Sequence, residues 1–141
     1  SNFDTSNVTN MREMFDSMSN LTALNLSNFN TSKVTDMRDM FFNMPRLTTL
    51  DLSNFDTSKV TDMNSMFAIF VDSPDDKLEK IYVNNDFDTT KLTSFGGVFS
   101  DRKKLRGGNG SYLVDPSTAD KSWLRIDDPA HGRPGYFTRK P

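Results

Sequence analysis

The chain has 141 residues, 35% of them hydrophobic, no cysteine and a formal net charge of −2 at pH 7. That length holds one domain, and a charge so close to neutral gives no footprint for nucleic acid or a membrane surface. The lack of cysteine excludes disulfides and thiolate metal sites, and no run of residues reads as a transmembrane segment or a signal peptide.

One pattern recurs from the first residue. The copies read SNFDTSNVTNMREMF from Ser1, SNFNTSKVTDMRDMF from Ser27, SNFDTSKVTDMNSMF from Ser53 and, worn, NDFDTTKLTSFGGVF from Asn85. The first two intervals are 26 residues and the third is 32, one repeat plus six inserted residues. A fixed period in this range is the mark of a solenoid, in which each unit stacks on the next. Ser1 falls inside a repeat with no apolar strand ahead of it, so the reading expects a piece of a longer protein, with signal and anchor segments elsewhere.

Two periodicities alternate within each repeat. Val8, Met11, Met14 and Phe15 return as Val34, Met37, Met40 and Phe41, then Val60, Met63, Met66 and Phe67, then Leu92, Phe95, Val98 and Phe99. The spacing i, i+3, i+6, i+7 predicts one face of a short helix. Thr9, Thr35, Thr61 and Thr93 are the expected N-caps, with Asp36 and Asp62 placed to favour a helix dipole. The second pattern, L-x-x-L-x-L, gives Leu21, Leu24 and Leu26, then Leu47, Leu50 and Leu52, then Leu78, Ile81 and Val83. Its alternation predicts strands with one buried face.

All eight methionines lie in this frame: Met11, Met14, Met18, Met37, Met40, Met44, Met63 and Met66. They read as core, rather than as the adaptable binding groove that exposed methionines can form. Phenylalanines form two columns, Phe3, Phe29, Phe55 and Phe87, and Phe15, Phe41, Phe67 and Phe99. Each ring is expected to pack on its counterpart one repeat away, contributing about 1.5–3 kcal/mol per buried ring. Asn2, Asn28 and Asn54, and Thr5, Thr31, Thr57 and Thr89, fall at corners where such side chains bond turn backbone. An outward threonine ladder for ice or glycan is the weaker reading of them.

The insertion predicts an exposed bulge over Ala68–Lys77, with Pro-Asp-Asp at its turn. Asp72, Asp75 and Asp76 lack the order of a calcium loop and its closing glutamate, so no metal is expected there. After Leu105 the pattern fails, with Gly108 and Gly110 where strand leucines are due. Tyr112–Pro141 is expected to cap the last repeat through Tyr112, Leu113, Trp123, Ile126, Tyr136 and Phe137. Residues 102–141 hold 9 basic and 4 acidic side chains, against 8 and 15 in residues 1–101. The basic segment reads as a solvated face, with a docking patch as the alternative.

The run LxxLxLSNFDTSKVTDMxxMF resembles the 26-residue repeat of bacterial surface proteins, the BspA-like branch of the leucine-rich-repeat family. GGNGSYLVDPSTADKSWLRID…PGYFT resembles the segment that closes such arrays. The family often has cysteine after the MF pair, where Met18 and Met44 stand here. The resemblance implies an α/β repeat: a right-handed leucine-rich-repeat solenoid over residues 1–105, with parallel strands on the concave face, short helices on the convex face, and an irregular C-terminal cap over 106–141. It also implies an extracellular location on a bacterial cell surface, and a role in adhesion or recognition of a host or neighbouring-cell protein or glycan, such as matrix or mucin-like material.

No catalytic set stands out. His131 is the one histidine, in a Pro/Gly-rich turn, and no nucleophile has a positioned base. Asp4 and Asp56 belong to repeat corners, and the glycine pairs do not form a phosphate-binding loop. The chain therefore reads as a non-enzyme without cofactor. Its expected ligand surface is the outward side of the strands, Asn25, Thr49, Asp51, Lys80, Tyr82 and Asn84, with Tyr82 as the aromatic anchor. A rigid stalk that presents a separate binding domain is the other reading.

Overall fold

The computed structural model describes residues 4–71 and 73–141; Asn2, Phe3 and Asp72 lie outside them. Three short strands form one parallel sheet in the order β1, Thr49–Asp51; β2, Lys80–Val83; β3, Phe137–Arg139. Leu50 faces Ile81 across the first pair, and Ile81 faces Phe137 across the second. All three side chains are buried, as a strand with one inward face requires. The first copy of the leucine pattern forms no strand, and its Leu21 and Leu24 are only half-buried.

The expected short helices are absent: among the described residues there is no α-helix. Each V-x-x-M-x-x-M-F segment is instead a ribbon of overlapping turns. Met14, Asp16 and Met18 donate to the carbonyls three residues back, at Met11, Glu13 and Phe15. The amides between them turn outward to the next repeat: Met11 donates to Asp36, Glu13 to Arg38, Phe15 to Met40 and Ser17 to Phe42, at 2.8–2.9 Å. The same ladder runs from Met37, Asp39, Phe41 and Asn43 to Asp62, Asn64, Met66 and Ala68, and again from the third copy to the fourth. A short isolated helix is marginal, whereas a ribbon that gives half its amides to its neighbour satisfies them and joins the repeats.

The ribbon needs left-handed residues at fixed places. Glu13, Asp39, Ser65 and Gly97 have φ between 55° and 63°, and they occupy one position of the frame. The left-handed conformation costs an L-residue with a Cβ about 1–2 kcal/mol. Only the fourth copy uses glycine. Ser65→Gly is therefore expected to raise stability by up to about 1 kcal/mol. Gly97→Ala should lower it by at least as much, because its Cβ would also lie 2.9 Å from Ser100 Oγ. Urea unfolding midpoints of the two variants check both signs.

The inward residues of the ribbon are those that the spacing names. Val34, Met37, Met40 and Phe41 are buried, as are Val60, Met63, Met66 and Phe67. Phe15, Phe41, Phe67 and Phe99 form a continuous stack, with ring centroids 5.6, 5.9 and 5.4 Å apart and planes within 9° of parallel. Phe29, Phe55 and Phe87 lean on that stack at 6.0–6.5 Å. The methionines are less uniform than expected. Met18 is 44% exposed and Met14 half-buried, while Met44, the counterpart of Met18, is buried.

Threonine hydroxyls hold the corners. Thr5 Oγ1 donates to the Asn30 carbonyl and accepts from the Asn30 amide; Thr31 does the same with Asp56, and Thr57 with Asp88. These three threonines are buried. Thr35, Thr61 and Thr93 cap no helix: each hydroxyl donates at 3.2 Å to the carbonyl of the matching threonine one repeat earlier. Asp36 and Asp62 likewise face no helix dipole. Each carboxylate accepts from the amide two residues on, at Arg38 and Asn64.

The insertion is only partly a surface bulge. Phe70 and Val71 are exposed, but Ala68 and Ile69 are buried, and so is Asp76. Asp76 Oδ1 accepts from Arg102 Nη1 at 2.9 Å, and Arg102, 2% exposed, also donates from Nε to the Phe67 carbonyl and from Nη2 to that of Met44. One guanidinium thus ties the insertion to the second and third repeats.

Residues 106–141 close the other end and supply β3. Tyr136 packs against Phe99 and Trp123, with centroids 4.7 and 4.9 Å away, and Phe137 lies 4.6 Å from Phe87. Leu113, Trp123 and Ile126 are partly buried against the core. Tyr112 is not part of this cover: it is 51% exposed, with the Arg106 guanidinium 3.8 Å above its ring. Gly107 is required by close approach, since a Cβ there would lie 2.1 Å from the Gly135 carbonyl oxygen.

Asp127 organises this segment, accepting from the amides of Asn109, Ser111 and Gly135. Burial pushes its carboxyl up, but the hydrogen bonds from Ser111, Asn109 and Gly135 outweigh that and hold it below the usual carboxylate range. A lowered folded-state pKa gives stability that is present above the unfolded value, about 3.9, and lost as pH falls through the folded one. Asp4, Asp51, Asp56, Asp88 and Asp115 are shifted in the same direction, and Asp39, raised by burial, in the opposite one. The melting temperature is expected to drop between pH 5 and pH 3, and to drop less in Asp127→Asn, as thermal melts across that range will show.

Candidate functional site

The sheet register sets the outward side chains in rows. Asp51, Tyr82 and Thr138 form one row across β1, β2 and β3, and Thr49 and Lys80 form another. Tyr82 thus stands between Asp51 and Thr138. On the Asp51 side is an open hollow of ≈ 360 Å³, lined by Leu24, Asn25, Ser27, Asp51, Ser53 and Asn54 among others. On the Thr138 side is a second, of ≈ 380 Å³, lined by Asn109, Asp127, Asp128, Thr138 and Arg139 among others. The Thr138 hydroxyl oxygen is buried without a hydrogen-bond partner among the described residues.

The six residues expected on this face are distributed as follows. Asn25 and Asp51 line the first hollow together, and each carboxylate or amide oxygen accepts from the amide two residues on, at Ser27 and Ser53. Thr49 is exposed beside Lys80. Lys80 is turned away from the Asp51 row, its Nζ donating to the Gly107 carbonyl at 3.0 Å. Asn84 lies beyond the end of β2 and donates from Nδ2 to the Ser53 carbonyl. Asn84 therefore bridges two repeats.

Sequence reasoning missed the contribution of residues 138–140. Arg139 Nη1 donates to the Asn84 carbonyl, and the Lys140 amide donates to that of Val83. Lys140 Nζ reaches back across the row, 2.6 Å from Asp51 Oδ2 and 5.6 Å from the Tyr82 ring centroid. Burial pushes the Asp51 carboxyl up, but hydrogen bonds from Lys140 and Ser53 and the Lys140 charge bring it below the usual range. The one sequence signal for this arrangement is the short apolar–polar run after Pro134, which reads equally well as loop.

A family model described as "Mycoplasma protein of unknown function, DUF285" matches residues 1–106. The chain belongs to that family. No curated protein and no solved structure matches it. The matched residues include β1, β2 and all six expected face residues. Thr138, Arg139 and Lys140 lie outside the match. No helix among the described residues is long and apolar enough to cross a membrane. Among them, no three His, Asp or Glu side chains come together to hold a metal ion. His131, in the 3-10 turn Pro129–His131, has its Nδ1 2.9 Å from the Asp128 carboxylate and is exposed.

Proposed function

We propose that this chain is a non-catalytic recognition domain of a bacterial cell-surface protein, a BspA-like leucine-rich-repeat solenoid that captures an extracellular protein or glycan on its strand face. The observation that carries the reading is the row Asp51–Tyr82–Thr138, which sets an aromatic ring between two open hollows. Tyrosine offers a large, rigid contact with a polar tip, the usual chemistry of an interface anchor. The face is small and polar, which suits a glycan or a polar peptide rather than an apolar ligand.

Tyr82→Ala is expected to weaken capture of a ligand found on a glycan or matrix-protein array by about tenfold or more. Because Tyr82 is only partly buried, its melting temperature should stay near that of the parent. Equal capture by mutant and parent rejects the strand face as the binding surface.

A second reading is a rigid stalk that carries a binding domain elsewhere. The amide ladder between repeats and the unbroken phenylalanine stack favour stiffness. Silence of this chain on the array, with binding by a longer surface protein that contains it, supports the stalk.

A further inference from the structure

The strand face already holds a ligand-like group. Lys140 sends an ammonium onto Asp51 Oδ2 at 2.6 Å, with the Tyr82 ring 5.6 Å away. A carboxylate beside an aromatic face is a site for a cation: the charge is paired on one side and the ring quadrupole attracts it on the other. The backbone of Lys140 is held separately, by its amide on the Val83 carbonyl. The side chain is therefore free to leave while the strand stays in place. Both partners are exposed, 42% for the lysine and 41% for the aspartate, so the pair is of the weak, exchangeable kind. The Ser53 amide donates to the other oxygen, Asp51 Oδ1, and the two neighbouring cations are engaged elsewhere. Lys80 is engaged by the Gly107 carbonyl, and Arg139 by that of Asn84.

We infer that the Asp51–Tyr82 pair is a binding site for a primary ammonium of a lysine-bearing partner, and that Lys140 occupies it as an internal competitor. The inference deepens the proposed function and rests on that reading of the strand face. Binding requires the incoming lysine to displace Lys140, so apparent affinity is reduced by the fraction of molecules in which the site is filled. An exposed pair of this kind, worth what such pairs are usually worth, fills the site enough to weaken binding about two- to sixfold.

The test uses the full chain and two peptides that differ only in one group, a short neutral-flanked peptide with a single lysine and the same peptide with that lysine acetylated. Amide chemical-shift titration follows Asp51, Tyr82 and Val83. The lysine peptide is expected to shift these amides and the acetylated one to leave them unmoved. Lys140→Ala should bind the lysine peptide about two- to sixfold tighter than the parent, and Asp51→Asn in the Lys140→Ala background should lose the gain. Equal affinity of parent and Lys140→Ala, or equal response to both peptides, overturns the inference. A ligand from the array whose capture falls in Tyr82→Ala but is indifferent to Lys140→Ala also overturns it, and leaves the strand-face reading standing. Failure of Tyr82→Ala to alter capture of any ligand overturns that reading instead.

Discussion

Phe67→Ala is expected to cost about 3–5 kcal/mol, the range for emptying a fully buried aromatic site. Phe67 is completely buried. Its ring stacks on Phe41 on one side and Phe99 on the other, and meets Phe87 and Phe137 at its edges. It therefore joins the second repeat, the fourth and β3 at once. Phe70 gives the contrast within the same segment. It is 58% exposed, with one edge contact to Phe42, and Phe70→Ala should stay within about 1 kcal/mol of the parent. Urea unfolding of both variants measures the difference. Equal midpoints would show that the phenylalanine column does not hold the repeats.

Asp76→Ala is expected to cost a similar amount, about 3–5 kcal/mol, for a different reason. It leaves the Arg102 guanidinium buried beside the Phe67 and Met44 carbonyls with its countercharge gone. Burial already lowers the pKa of Arg102, with Asp76 opposing that shift. A double variant, Asp76→Leu with Arg102→Met, removes both charges and should recover much of the loss, since an apolar pair can replace a buried ion pair. Failure of the double variant to recover stability would mean that the arginine's bonds to the two carbonyls matter more than the ion pair.

The columns were legible in the sequence because identical side chains returned at a fixed interval: Phe41 and Phe67 pack as their spacing says. The backbone that carries them was not. The spacing i, i+3, i+6, i+7 fits one face of a helix, but it fits a ribbon of overlapping turns as well. What separates the two is the left-handed residue at Glu13, Asp39 and Ser65, and those side chains do not announce it. Gly97, at the same frame position in the worn copy, was the one visible sign. Arg102 carried no signal either. Its role depends on where an insertion far away in sequence folds back, and Asp76 read as turn. On the strand face, Asp51 and Tyr82 came from the alternation of their own strands, whereas Lys140 reaches them only because residues 137–139 add a strand next to β2. No periodicity predicts that, since the pattern had already ended at Leu105.

Amides that cross from one repeat to the next fix the ribbon and, through it, the side of the strands that faces outward. Scalar couplings across hydrogen bonds, read by NMR on isotopically labelled protein, detect each amide with its own acceptor. The expected set pairs Met37 with the Asp62 carbonyl, Asp39 with Asn64, Phe41 with Met66 and Asn43 with Ala68. Couplings from each of these amides to the carbonyl four residues earlier in the same segment, with none between repeats, would restore short helices and contradict the account.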